Sequence, residues 1–202
     1  MVTGPPTVGV LALQGDFERH AAAWRRAGAD VREVRTRQDF EGLDALSMPG
    51  GESTTMLRLL GVLGLRQELE QAVRTLPVFA TCAGAILLGE GGEHLPAPPL
   101  GVLDATVARN AYGRQVDSFE SDLDCPLLGG TVRGVFIRAP RFTRLGKDVE
   151  VVATHDGEPV GVRQGRLVAL AFHPELTDDA RLFRWFLDQV VAPARAPQGA
   201  AR

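Results

Sequence analysis

Cysteine is scarce in this chain: Cys82 and Cys125 are the only two among 202 residues. Two thiols in unlike settings make no disulfide framework. With no Cys-x-x-Cys or His-x-x-x-His spacing, they make no structural zinc site either. Positive charge is in short supply too. Lysine and arginine number 22 against 25 acidic residues, a net charge of −3, which argues against nucleic acid as the main partner. Long apolar runs are lacking; those at 8–13 and 167–172 are far too short to span a bilayer, so no membrane association is expected. Residues 1–7 carry no basic stretch followed by an apolar one, so no secretion signal is expected. Free thiols and a cytoplasmic location fit this pattern.

What is present reads as one domain over 1–192 followed by a disordered tail over 193–202. A globule of this size buries roughly 70% of its unfolded surface and needs no staples. Short buried strands at 7–13, 30–34, 45–48 and 78–81 alternate with helical patterns at 16–27, 53–60, 65–75 and 83–88. Gly28 supplies a helix stop, and Ser53 or Thr54 a helix cap. This rhythm indicates an α/β three-layer sandwich: a mostly parallel central sheet with helices on both faces. The second half predicts strands at 106–109, 115–119, 131–137, 149–154, 159–163 and 167–172, several in antiparallel meander order. Gly165 marks a hairpin, and 178–191 is a final amphipathic helix.

Three stretches carry chemistry. Val78-Phe79-Ala80-Thr81-Cys82-Ala83-Gly84 is an apolar strand turning through small residues into a helix, the setting of an exposed nucleophile. The helix N-terminus favours thiolate and offers N–H groups to an oxyanion. Phe172-His173-Pro174-Glu175 closes another strand with an imidazole and a carboxylate two positions apart, suited to base and orienter. Pro49-Gly50-Gly51-Glu52-Ser53 is a glycine turn at a strand's carboxyl end, able to aim an N–H at a carbonyl oxygen. His20, His94 and His155 read as bland: a charged helix face, a loop and a turn. The glycine-rich 89–93 stretch carries two carboxylates that would repel phosphate. These features predict a cysteine amidohydrolase acting on a small carboxamide.

Taken together the motifs resemble the glutaminase subunit of pyridoxal 5′-phosphate synthase, a class I glutamine amidotransferase, over nearly the whole chain. The resemblance is carried by Leu11-Ala12-Leu13-Gln14-Gly15, the Pro49–Met56 string, Thr81-Cys82-Ala83-Gly84, Arg109-Asn110, Gly113-Arg114-Gln115-Val116-Asp117-Ser118-Phe119, Gly134-Val135-Phe136-Ile137-Arg138-Ala139-Pro140 and Phe172-His173-Pro174-Glu175-Leu176-Thr177. It implies hydrolysis of L-glutamine by Cys82, His173 and Glu175 through a glutamyl thioester, with Gly51 and Ala83 forming the oxyanion hole. It further implies substrate contacts from Gly51, Glu52, Ser53, Arg109, Ile137 and Arg138, with Gln14 near the site at a partner interface. Ammonia would pass to a separate synthase subunit in a large heteromeric complex. No cofactor and no metal is expected in this subunit. Two departures stand out: Ala80 where relatives carry Gly, and Ala111-Tyr112 in place of a usual Ser-Phe pair. The remaining alternatives are a glutaminase feeding another biosynthetic amidotransferase, a hydrolase of the same architecture and a non-catalytic interaction subunit.

Overall fold

The computed structural model describes residues 4–91, 94–109 and 118–196. In the first half, β1 (Thr7–Leu11), β2 (Asp30–Val34), β3 (Ala45–Met48) and β4 (Val78–Thr81) alternate with α1 (Phe17–Ala27), α2 (Ser53–Val62), α3 (Arg66–Thr75) and α4 (Ala83–Leu88). The second half adds β5 (Ala105–Ala108), β6 (Ser118–Cys125), β7 (Gly130–Ile137), β8 (Arg141–Leu145), β9 (Glu150–His155), β10 (Glu158–Gln164) and β11 (Leu167–Leu170). It closes with α5 (Arg181–Phe186), which continues in π winding over Leu187–Val191 into α6 (Ala192–Arg195).

The main sheet runs β2-β1-β3-β4-β11-β10-β9-β6-β7. Its first five strands pair in parallel, and β10, β9, β6 and β7 extend it antiparallel. The expected mostly parallel core with antiparallel additions is therefore present. β5 and β8 form a separate antiparallel pair. β3 shows how the two faces are covered, because consecutive side chains on a strand point to opposite sides. Ser47 meets His20 of α1, while Met48 abuts Gly84 of α4 on the other side. The α1 face is sealed by Trp24, Phe79, Phe183 and Phe186, whose rings sit 4.8 to 5.6 Å apart, mostly edge-on. Among the described residues no helix is long and apolar enough to cross a membrane.

Several boundaries differ from the sequence reading. Strand β8 was not anticipated: its pattern of Arg141, Thr143 and Arg144 around one buried Phe142 gives little apolar alternation. β6 runs on to Cys125 past three acidic residues, since pairing with β7 along its full length outweighs poor strand propensity. The final helix starts at Arg181 rather than 178 and remains helical through Arg195, whose guanidinium pairs with Asp44 at 3.1 Å. Residues 197–202 of the expected tail, the 110–117 segment with its motif residues and the Ala111-Tyr112 departure lie outside the described residues, as do Gly92 and Glu93.

Candidate active site

The nucleophile turn begins with β4, buried from end to end. Cys82 follows at φ 46°, ψ −105°, a conformation that side chains rarely adopt and that typically costs about 1–3 kcal/mol. The surroundings enforce it. Cys82 N–H donates to the Leu170 carbonyl at 2.8 Å, tying the turn to β11, and α4 starts at the next residue. Small neighbours are obligatory here: a Cβ on Gly84 would strike the Met48 carbonyl. The thiol lines a cavity and donates to the Ile137 carbonyl at 3.8 Å. Ala80 is accommodated. It sits within β4 beside Met48 and Ala169, outside the positive-φ region, so its methyl imposes no backbone strain.

His173 and Glu175 flank the first turn after β11. His173 N–H donates to the Val135 carbonyl of β7, and Pro174 opens a short 3-10 turn. His173 Nδ1 lies 2.7 Å from Glu175 Oε1. Its other nitrogen, Nε2, is buried without a hydrogen bond among the described residues and adjoins the Cys82 thiol. Burial alone would lower the imidazole's pKa. The Cys82 sulfur and the Glu175 carboxylate outweigh it and push His173 up to about 10. Burial would raise Glu175, yet His20 and His173 together hold it well below the usual carboxylate range. Gly50 completes the fit, since a Cβ there would run into the His173 ring and crowd Cys82.

The glycine turn is locked by Gln14. Its Oε1 accepts the Glu52 N–H at 2.6 Å, and Gly15, at φ 95°, lies against the Gly50 carbonyl so closely that no Cβ fits. The helix cap is Glu52, not Ser53 or Thr54. Its carboxylate accepts from Thr54 N–H (3.0 Å) and from Thr55 N–H (2.7 Å) and Oγ1–H (2.8 Å), because an acidic side chain reaches the open N–H groups of α2. Burial would raise its pKa, but these donors bring it down to about 2. Arg109 Nη2 donates to Glu52 Oε1 at 3.1 Å and to Thr54 Oγ1 at 3.3 Å. Arg138, at φ 45°, has no hydrogen-bond or ion-pair partner among the described residues.

One cavity of about 540 Å³ gathers these parts. Gln14, Gly51, Glu52, Ser53, Cys82, Arg109, Ile137, Arg138 and His173 all line it, although they come from widely separated stretches of chain. Ala83 is buried beside it as the first residue of α4, and Glu175 lies behind His173. Gly50 of the glycine turn and Leu176 of the last motif join the lining, as do Asp16 and Ile86, which were not singled out in the sequence. A volume of this order suits a ligand of amino-acid size held by a few convergent polar groups.

His20 is the clearest correction. Far from a charged face, it is fully buried, with Nδ1 2.9 Å from Ser47 Oγ and Nε2 3.1 Å from Thr81 Oγ1 and 3.2 Å from Glu175 Oε1. The signal was in the helical period: positions 17, 20, 21 and 24 share one face of α1, and Ala21 and Trp24 are buried there. His155 is half-buried beside Phe119 and Phe136, with Ser121 Oγ at 3.0 Å, and His94 is exposed; neither lines the cavity.

Comparison with known proteins agrees with this geometry. The SNO glutamine amidotransferase family matches residues 10–192. Among proteins described as pyridoxal 5′-phosphate synthase subunit PdxT, one from Thermus thermophilus is 55% identical over 184 residues, 90% of this chain and 96% of its own. That of Thermotoga maritima is 48% identical over 185 residues, 91% of this chain and 98% of its own. A crystal structure described as a glutamine amidotransferase superposes with a TM-score of 0.85 at 52% identity, covering 92% of this chain and 98% of that one. The chain belongs to the SNO glutamine amidotransferase family.

Proposed function

We propose that this chain is the glutaminase subunit of a pyridoxal 5′-phosphate synthase, releasing ammonia from L-glutamine through Cys82, His173 and Glu175. The observation that carries the reading is the joining of Cys82, His173 and Glu175 at the floor of a cavity lined by the residues that the family resemblance assigns to glutamine. Cys82 sulfur attacks the side-chain carbonyl carbon, and the oxygen takes up the electron pair beside the Gly51 and Ala83 backbone N–H groups. His173, carrying its proton on Nε2, gives it to the departing nitrogen; the C–N bond breaks, ammonia leaves and a glutamyl thioester remains. Water then adds, losing its proton to His173, and the C–S bond breaks to give glutamate, with the electron pair left on the Cys82 sulfur and the proton on His173 shared back to it. Glu175 fixes the ring by accepting from Nδ1–H throughout.

The substrate's α-groups meet the open side. Arg138, without a partner of its own among the described residues, suits the α-carboxylate through its fork of N–H donors. Glu52, anionic with its pKa near 2, suits the ammonium, and Arg109 holds that carboxylate in place. Ser53 and Ile137 complete the walls. Ammonia passes to a synthase subunit in a cytoplasmic heteromeric complex, where it is consumed. That subunit also orders the oxyanion hole, with Gln14 at the shared face, so the free chain turns over slowly. The test measures ammonia from glutamine with the full chain alone, with the synthase subunit and after Cys82→Ala. Activity that rises with the partner and vanishes in the variant is expected. Equal turnover with and without partner, or persistent release from Cys82→Ala, contradicts the reading.

A further inference from the structure

Beneath the catalytic side chains lies a buried polar cluster of which the proposed hydrolysis uses only Glu175. His20, Ser47, Thr81 and Glu175 are all buried, on α1, β3, β4 and the turn after β11 respectively. Four buried polar groups from four elements are expensive to assemble unless each satisfies another. They do so here through the His20 ring, which touches the other three at 2.9 to 3.2 Å. Glu175 depends on that ring in particular. Its Oε1 receives His173 at 2.7 Å and His20 at 3.2 Å, whereas Oε2 has no partner among the described residues. A buried carboxylate with two donors on one oxygen loses half its support if either is removed.

We propose that His20 is a positioning residue for amide hydrolysis: it clamps the Glu175 carboxylate from behind and so sets the orientation and proton affinity of His173. The inference rests on the glutaminase reading and extends it. The hydrogen-bond chemistry works in either protonation state of His20. With one proton, on Nε2, the ring shares it between Thr81 Oγ1 and Glu175 Oε1 and accepts from the Ser47 hydroxyl at Nδ1; with two protons, Nδ1 donates to Ser47 instead. Glu175 is the charged group in contact with it, and Ser47, Thr81 and the edge of Phe183, 6.5 Å away, complete its surroundings. Thr81 directly precedes Cys82, so the same ring also braces the nucleophile turn. Without His20, Glu175 takes up a proton more readily, His173 loses its counter-anion, and the Cys82–His173 pair reaches its reactive form only at higher pH.

The experiment follows the rate of Cys82 carboxamidomethylation by iodoacetamide against pH in the full chain, which needs no partner, together with glutamine turnover in the presence of the synthase subunit. Thermal midpoints accompany wild type, His20→Leu and His20→Gln. His20→Leu should move the alkylation profile upward by about one pH unit. It should also lower kcat roughly 10-fold or more, with KM nearly unchanged. His20→Gln, whose terminal amide N–H reaches nearly the place of Nε2, should recover most of both losses. A wild-type profile and kcat in a destabilised His20→Leu, or no recovery in a folded His20→Gln, overturns the proposal. Should His20→Leu fail to fold, Ser47→Ala loosens the ring from its far side; a smaller shift in the same direction supports the clamp and an unchanged profile overturns it. Wild type that alkylates at Cys82 yet releases no ammonia defeats the glutaminase reading and leaves the clamp to be judged on the alkylation profiles.

Discussion

Glu52 lines the cavity and Glu175 lies behind His173, both ionised and both held by hydrogen bonds, but by contrasting means. Glu175 is buried, and its partners are two imidazoles contributed by distant elements. Glu52 is exposed, and its main partners are the N–H groups of the helix it caps, two and three residues further on, with Arg109 added from a distant stretch. The first arrangement survives only if the whole fold is in register, because a buried carboxylate without donors is strongly unfavourable. The second forms locally and shares its burden with water. The dry floor therefore serves chemistry that depends on a fixed proton position, and the wet mouth serves binding and exchange of a charged substrate.

The largest effect should follow from disturbing the floor. Glu175→Gln keeps the shape but removes the charge, and kcat should fall by roughly 10²- to 10⁴-fold. His173, freed from its counter-anion, should lose its proton at lower pH, so the alkaline limb of the kcat profile should move from near 10 towards 6.5. Stability carries the same signature. The raised pKa of His173 means that its contribution is full below 6.5 and lost as pH climbs through about 10. The lowered pKa of Glu175 means that its contribution is full above 4.5 and lost as pH falls below that value. Thermal unfolding of wild type against pH should show both losses; Glu175→Gln should lose the acid one and keep a smaller alkaline one, because the Cys82 sulfur still supports His173.

Next in size is Gly50→Ala, which tests the contact between floor and turn. The new methyl meets the His173 ring, so destabilisation by about 1–3 kcal/mol is expected. Loss of activity by about 10²-fold should follow from the displaced imidazole. At the mouth, Glu52→Ala should cost about 1 kcal/mol of stability as a lost cap, read from denaturant midpoints. It should raise KM while leaving the pH profile in place. A shifted profile would mean that the two carboxylates are not independent. Smallest of all, Ala80→Gly should destabilise by about 0.5–1 kcal/mol, since Ala80 already fits its strand.

How far these regions could be read from sequence follows the same division. Cys82, His173 and the Pro49–Ser53 turn were legible because they sit at the carboxyl ends of strands whose apolar runs are unmistakable. That Arg109, Ile137 and Arg138 join them was not visible in spacing and rested on resemblance to a known family. Local rules pointed to Ser53 or Thr54 as the cap, because a carboxylate reaching two helix N–H groups at once is a geometric fact, not a propensity. His20 was misread because its chain neighbours Arg19 and Glu18 are charged, although its helical neighbours are apolar. β8 escaped because pairing with β5, and not its own composition, makes it a strand.

The most direct test of the central claim is to map, by peptide mass, where a diazoketone analogue of glutamine attaches covalently to the full chain assembled with its synthase partner. Cys82 stands at the cavity, whereas Cys125 is fully buried with its thiol pKa pushed up by that burial. One adduct, on Cys82 and suppressed by excess L-glutamine, is the predicted result. An adduct on Cys125, or labelling of Cys82 that glutamine leaves untouched, would contradict the account.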